Sequence, residues 1–145
     1  MKGRGWQWLT RVVRWSLSGV LIYAGVSKIP DPRGFSHAIA NYRLLPELII
    51  PWVGWLLPWV EVVVGFSVLT RIFYRGGLVW MGILFTGFLV ALLWAYLHGL
   101  DIECGCFGTS GSSQINLLHI QLVALAWLFS LGLLWQQWRV DHVSA

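Results

Sequence analysis

The sequence predicts an all-α protein, namely a polytopic membrane protein built as a bundle of four transmembrane helices. Two observations carry this prediction. Apolar residues make up 57% of the 145 positions and charged residues only 11%, whereas an average soluble domain has roughly 25% charged residues. In addition, four apolar segments reach the length of about 20 residues that a helix needs to cross a bilayer. The chain is therefore expected to form one membrane domain, residues 1–145, that embeds in the lipid bilayer.

The four predicted spans cover residues 9–27, 48–70, 77–97 and 117–138. Basic residues precede the first span, as they do in a signal peptide, but no small-residue cleavage site follows it. The chain continues instead with Lys28, Ile29 and Pro30. We therefore expect the first span to remain in the protein as a permanent helix.

The distribution of basic residues predicts the orientation. Seven of the ten Lys and Arg residues flank the N-terminal, second-connection and C-terminal sides of the spans, while Lys28, Arg33 and Arg43 flank the opposite side. Cytoplasmic connections carry an excess of Lys and Arg. Both termini are thus expected in the cytoplasm, with residues 28–47 and 98–116 outside. Because the basic residues follow this topology, the net charge of +4 is not interpreted as a sign of nucleic-acid binding.

The first outer connection predicts a short helix between the first two spans. Asp31 can cap a helix that has Pro32 at its first position. Three apolar residues would then share one face: Phe35, Ile39 and Tyr42. We expect this helix to lie at the membrane surface with His37 and Arg43 on its polar side. A connector that only orders the first two spans is the alternative interpretation.

The second outer connection contains the two cysteines of the chain, Cys104 and Cys106, separated by Gly105. Two extended residues span close to 7 Å, whereas the Cα atoms of a disulfide usually lie about 5.5–6 Å apart, so a bond between these neighbours would be strained. Strained, exposed disulfides accept electrons easily. We interpret the pair as redox-active. A structural bridge and a metal site completed by His98, His37 or His119 remain alternatives.

The charges near the cysteines bear on the redox interpretation. Asp101 and Glu103 disfavour a thiolate beside them, so a compensating cation is needed. On the predicted topology, the cations on the same face are Lys28, Arg33 and Arg43. His119, at the start of the fourth span, is a candidate proton acceptor.

Glu61 stands near the middle of the second predicted span, three residues after Pro58. A carboxylate at this depth costs at least a few kcal/mol, so it should face the interior of the bundle, either protonated or paired. On this interpretation Glu61→Gln should fold nearly normally. A proton-relay or quinone-site role is one hypothesis for Glu61, and a hydrogen bond that only sets helix packing is the other.

Several of these motifs, in this order, resemble the methylamine-utilisation MauE family, which is related to the DoxX-like four-helix membrane proteins. The resemblance covers roughly residues 12–135 and lies in four segments: Gly25 to Pro32 with Phe35, Tyr42 to Pro46, Leu57 to Glu61 with Gly65, and Cys104 to Gly108. It implies a protein of the bacterial inner membrane that takes part in maturation of a periplasmic protein, beside a thioredoxin-like partner.

The resemblance implies Cys104 and Cys106 as the thiol pair, with Lys28 and Glu61 as polar positions of the family pattern. Together with Arg43 and His119 as supporting residues, these form the predicted site of a thiol–disulfide relay. No cofactor follows with certainty, although a membrane quinone is a candidate. The competing hypothesis is a non-catalytic accessory or anchor subunit of a larger membrane electron-transfer complex.

Overall fold

The computed structural model describes residues 4–99 and 117–143. This part of the chain is entirely helical outside its turns, which confirms the predicted all-α class. The helices are α1 (Arg4–Lys28), α2 (Pro32–Asn41), α3 (Ile50–Thr70), α4 (Tyr74–Leu97) and α5 (Leu117–Val143).

Three helical segments of the described chain are long and apolar enough to cross a membrane: Ile50–Thr70, Tyr74–Leu97 and Ile120–Arg139. The helix α1 has sufficient length but carries Arg11 and Arg14 in its first half, which shortens its apolar stretch. Its role as a fourth span stays a prediction. The outer surface of the three apolar helices is rich in exposed large side chains, including Trp52, Trp55 and Trp59, as expected of helices that face lipid.

The helix boundaries differ from the predicted ones by a few residues. The helix α1 begins before residue 9 and ends at Lys28, and α3 begins two residues later than predicted. The helix α4 begins before residue 77, and α5 continues past residue 138. A helix is held by its backbone hydrogen bonds, which continue into polar residues past the apolar segment. The prediction used apolar length alone, and for that reason missed the polar ends.

The short helix α2 forms where the sequence predicts it. The Oδ1 atom of Asp31 accepts a hydrogen bond from the backbone nitrogen of Gly34 at 2.9 Å, and Pro32 occupies the first turn. Phe35 and Tyr42 are buried, while His37 and Arg43 are exposed. The apolar and polar faces are therefore as expected. The position of α2 relative to the membrane surface stays a prediction.

The helices pack mainly as α1 against α3 and α4 against α5, with α3 against α4 and α2 against α3. Residues 71–73 join α3 to α4 in a turn so short that the two helices must run antiparallel. Arg71 and Phe73 adopt positive φ angles of 66° and 52° there. At the far end, Leu92 of α4 packs against Ile120 of α5. The connection 98–116 consequently starts and ends at the same end of the bundle as α2.

Candidate functional site

The central feature of the site is an ion pair between Lys28, the last residue of α1, and Glu61, in the middle of α3. The Nζ atom of Lys28 donates to Oε1 of Glu61 at 2.8 Å and to Oε2 at 2.9 Å. Both side chains are 0% exposed. The interior position expected of Glu61 is thereby confirmed, and the carboxylate is paired.

Glycines bring the two helices close enough for this contact. A Cβ atom on Gly25 would lie 2.6 Å from the carbonyl oxygen of Pro58 and 2.7 Å from Cγ2 of Val62. On the opposing helix, a Cβ atom on Gly65 would lie 2.8 Å from Cγ1 of Ile22. Real Cβ atoms essentially never approach so closely, so α1 and α3 can pack at this distance only with glycine. Lys28 follows Gly25 by one turn and therefore enters the interface beside Glu61.

Two aromatic rings cover the ammonium group of Lys28. Its Nζ atom lies 5.0 Å from the ring centroid of Phe35 in α2 and 5.1 Å from that of Phe88 in α4. At these distances each ring face attracts the cation. Four helices meet at this point, since α1 and α3 supply the charges while α2 and α4 supply the rings.

An apolar groove of about 700 Å³ lies beside the ion pair, between α2, α3 and α4. Phe35 and Phe88 line this groove and also contact Lys28, so the two rings separate the groove from the charges. Trp52 and Trp80 supply further aromatic surface. The groove thus has the apolar, aromatic lining of sites that take hydrophobic small molecules.

Tyr42 adds a polar group to the same groove. Burial raises the pKa of Tyr42 to about 12, because the ionised phenolate is poorly solvated there. At physiological pH the hydroxyl group is protonated, as that of an ordinary tyrosine is, and it can donate a hydrogen bond.

The other predicted site residues are not all gathered at this point. Arg43 follows α2 with a φ of 52° and has an exposed side chain, unlike the fully buried pair. Residue 119 belongs to α5, but its side chain lies outside the described part of the structure. Cys104 and Cys106 also lie outside the described residues, so their roles stay predictions.

Lys28 requires a correction. From the sequence it is expected in the outer connection, as a basic residue available to the cysteines, whereas it is the last residue of α1 and its ammonium group is buried against Glu61. The sequence contains a signal for this pairing. Lys28 ends one apolar segment and Glu61 stands within another, and burial requires such opposite charges to pair.

The described residues offer no set of ligands for the metal site that was the alternative interpretation of the cysteines. In residues 4–99 and 117–143, no group of three or more His, Cys, Asp or Glu residues is placed to hold a metal ion. His98, one of the suggested ligands, stacks on Trp94 with ring centroids 4.0 Å apart. Its Nδ1 atom also lies 2.9 Å from the carbonyl oxygen of Trp94.

Comparisons with known proteins cover almost the whole bundle. The family model described as methylamine utilisation protein MauE matches residues 6–137. A curated protein of Paracoccus denitrificans, named methylamine utilization protein MauE, is 28% identical over 131 residues, which cover 87% of this chain and 69% of that protein. No solved structure matches the chain. The matched segment contains both partners of the buried ion pair and both cysteines.

Proposed function

We propose, from the premise that this chain belongs to the MauE family, that it acts in the bacterial inner membrane on the maturation of a periplasmic protein by thiol–disulfide exchange. The matching family and the protein of Paracoccus denitrificans are both named for methylamine utilisation. The proposed client is a periplasmic protein of such a system, or a thioredoxin-like carrier that serves it.

The observation that carries the proposal is the buried pair of Lys28 and Glu61 beside an apolar groove. Removing two charges from water costs several kcal/mol per ion, which their attraction repays only in part. A subunit that merely anchors other proteins gains little from this arrangement. Ionisable groups inside a membrane are by default candidates for function, and here both come from segments that resemble the family.

The proposed exchange takes place at Cys104 and Cys106. A thiolate of the client attacks one sulfur of the Cys104–Cys106 disulfide and forms a mixed disulfide. The second client thiol then attacks the mixed disulfide, so that the client leaves with a disulfide and the pair is left as two thiols. Two electrons and two protons pass from the client to the pair.

Return of the pair to the disulfide requires an acceptor for two electrons and two protons. A membrane quinone supplies that chemistry, and the apolar groove fits such a molecule in character. Trp52 and Trp80 would hold an aromatic head group by ring contact, with Tyr42 as a polar neighbour. Lys28 and Glu61 can pass one proton between Nζ and a carboxylate oxygen without a change in net charge, which suits a pair that relays a proton and retains none.

The topology supports this arrangement. The connection 98–116 leaves α4 after Leu97 and enters α5 at Leu117, at the end of the bundle where α2 lies. The cysteines are therefore proposed to lie on the same side of the membrane as the mouth of the groove. That side is the periplasmic one on the predicted orientation.

The test is to trap the mixed disulfide in cells. Cys104→Ser and Cys106→Ser variants of the full chain are quenched with acid, alkylated and separated without reductant, and any captured partner is identified by mass spectrometry. One single variant should accumulate a complex that reductant dissolves, and the double variant should accumulate none. Ser112→Ala, in the same connection, is the matched control and should behave as wild type.

Loss of function should be equal in either single variant and in the double variant, because one thiol cannot complete the exchange. If the double variant instead supports wild-type activity of its pathway, the relay is wrong. The accessory-subunit hypothesis, with the chain as a fixed member of a larger membrane complex, would then be the better explanation.

A further inference from the structure

A second cleft lies at the opposite end of the bundle from α2, where α3 joins α4. It has a volume of about 880 Å³ and is formed by the start of α1, the turn after α3 and the last turns of α5. Its lining is polar, in contrast to the groove beside the ion pair. The residues lining it that matter here are Gln7, Arg11, Arg14, Arg71, Tyr74 and Gln136.

Three arginines line this cleft, and no Asp or Glu is among its lining residues within the described part of the chain. Arg11 and Arg71 are exposed, whereas Arg14 is only 9% exposed. The guanidinium of Arg71 lies 5.5 Å from the ring centroid of Tyr74, and Tyr74 lines the cleft together with Arg14. Tyr74 thus contacts one of the three cations that line the cleft.

Arg14 provides an independent indication that a ligand belongs here. Its Nε atom is buried and has no hydrogen-bond partner among the described residues. An unsatisfied buried donor costs about 1–3 kcal/mol, and more when the group is charged. A guanidinium group that lines a cavity with an unused donor is suited to an acceptor that enters from outside the chain.

We propose that this cleft binds a phosphate group, either that of an anionic phospholipid or a free phosphate. Guanidinium groups bind phosphate oxygens in a bidentate manner with charge-assisted hydrogen bonds. The amide groups of Gln7 and Gln136 add neutral donors. Three cations, with no carboxylate among the described lining residues, leave positive charge that a phosphate neutralises.

The lipid source has support from the surroundings. A second groove of about 670 Å³ runs between α4 and α5, lined by apolar residues such as Val79 and Trp135, and shares Gln137 with the arginine cleft. An acyl chain could follow it while the phosphate contacts the arginines. On the predicted orientation, this end faces the cytoplasm, where juxtamembrane basic clusters commonly attract anionic lipids.

The test uses the full chain purified in a neutral detergent. Native mass spectrometry counts bound phosphatidylglycerol against phosphatidylcholine at equal concentration, and a parallel thermal-unfolding series adds inorganic phosphate at millimolar concentration. Phosphatidylglycerol binding well above phosphatidylcholine binding identifies a lipid site. Stabilisation by inorganic phosphate without lipid preference identifies a soluble ligand. Either result supports the proposal.

The variants Arg14→Gln, Arg11→Gln and Arg71→Gln should each weaken binding, by roughly tenfold for one lost charge-assisted contact. Arg33→Gln removes the same charge from an exposed position of α2, at the opposite end of the bundle, and should have little effect. If Arg14→Gln fails to fold, the two exposed arginines carry the test. The proposal is overturned if neither lipid nor phosphate binds, or if Arg33→Gln weakens binding as much as the cleft variants.

Discussion

The ammonium nitrogen of Lys28 lies 2.8 Å and 2.9 Å from the two carboxylate oxygens of Glu61, with both side chains fully buried. Thirty-three positions separate these residues in the sequence. Because each charge is compensated almost wholly by the other, neither residue can be changed alone without leaving an unpaired charge in the interior of the bundle.

Replacement of one partner should destabilise the protein strongly, and replacement of both should restore much of the loss. Lys28→Met and Glu61→Met are each expected to lower the free energy of unfolding by about 3–5 kcal/mol, the cost of one uncompensated buried charge. The double variant should be considerably more stable than the sum of the two losses predicts. Unfolding of the purified variants in detergent measures the coupling.

Arg43→Met is the control for this series, because its exposed side chain should contribute within about 0.5 kcal/mol. Glu61→Gln belongs to the destabilising group, since the neutral amide leaves the ammonium of Lys28 unpaired. From the sequence alone, Glu61→Gln was expected to fold nearly normally, whereas the ion pair with Lys28 leads us to predict a loss of stability. Strictly additive losses in the double variant would contradict the ion pair.

Close packing of α1 on α3 predicts opposite effects of alanine at two glycines of the same helix. Gly25→Ala would place a Cβ atom 2.6 Å from the Pro58 carbonyl oxygen and should cost about 1–3 kcal/mol through forced separation of the helices. Gly19→Ala has nothing within 4 Å of the new atom. It should stabilise by about 0.5–1 kcal/mol, since alanine favours the helix. Equal stabilities of the two variants would contradict the packing described.

Filling the apolar groove should exclude a bound quinone while leaving the ion pair intact. Gly87 lines the groove, and a Cβ atom there meets nothing within 4 Å, so Gly87→Phe is expected to fold and to occupy part of the space. The quinone that is extracted with the purified protein, measured by chromatography, should fall several-fold. Gly19→Phe, on an exposed position of α1 outside the groove, is the control. Equal quinone content in all three proteins would argue against occupancy of the groove.

Reporter fusions can decide whether α1 crosses the membrane. If it does, fusions after Ala145 and before Trp6 should both report the cytoplasm, while insertions at His37 and between residues 108 and 113 should report the periplasm. If α1 does not cross, the N-terminal reporter and the His37 reporter will fall on the same side. A periplasmic signal after Ala145 would invert the orientation predicted from the basic residues.

Local features of the sequence were sufficient to predict the positions of the helices. The apolar segments predicted α3, α4 and α5, and the succession of Asp31 and Pro32 predicted the start of α2, because caps and apolar length act within a few neighbouring residues. The segments that resemble the MauE family also pointed to the family that the comparisons later matched.

The exact ends of the helices were harder to predict from the sequence. Apolar length does not report where backbone hydrogen bonds stop, so the polar first turns of α1 and the end of α5 were missed. The same limit left Lys28 in a connection, although it continues α1.

The sequence by itself thus determined the helical class, the apolar segments and the interior position of Glu61, since a carboxylate in lipid must turn inward wherever the chain places it. Only the tertiary structure decided that Lys28 is its partner, that Phe35 and Phe88 cover the ammonium, and that Arg11, Arg14 and Arg71 line one cleft. These contacts join residues from different helices. They depend on the distance between the helices and on the rotation of each helix about its own axis. Packing at glycines such as Gly25 and Gly65 sets both, and no local pattern in the chain does.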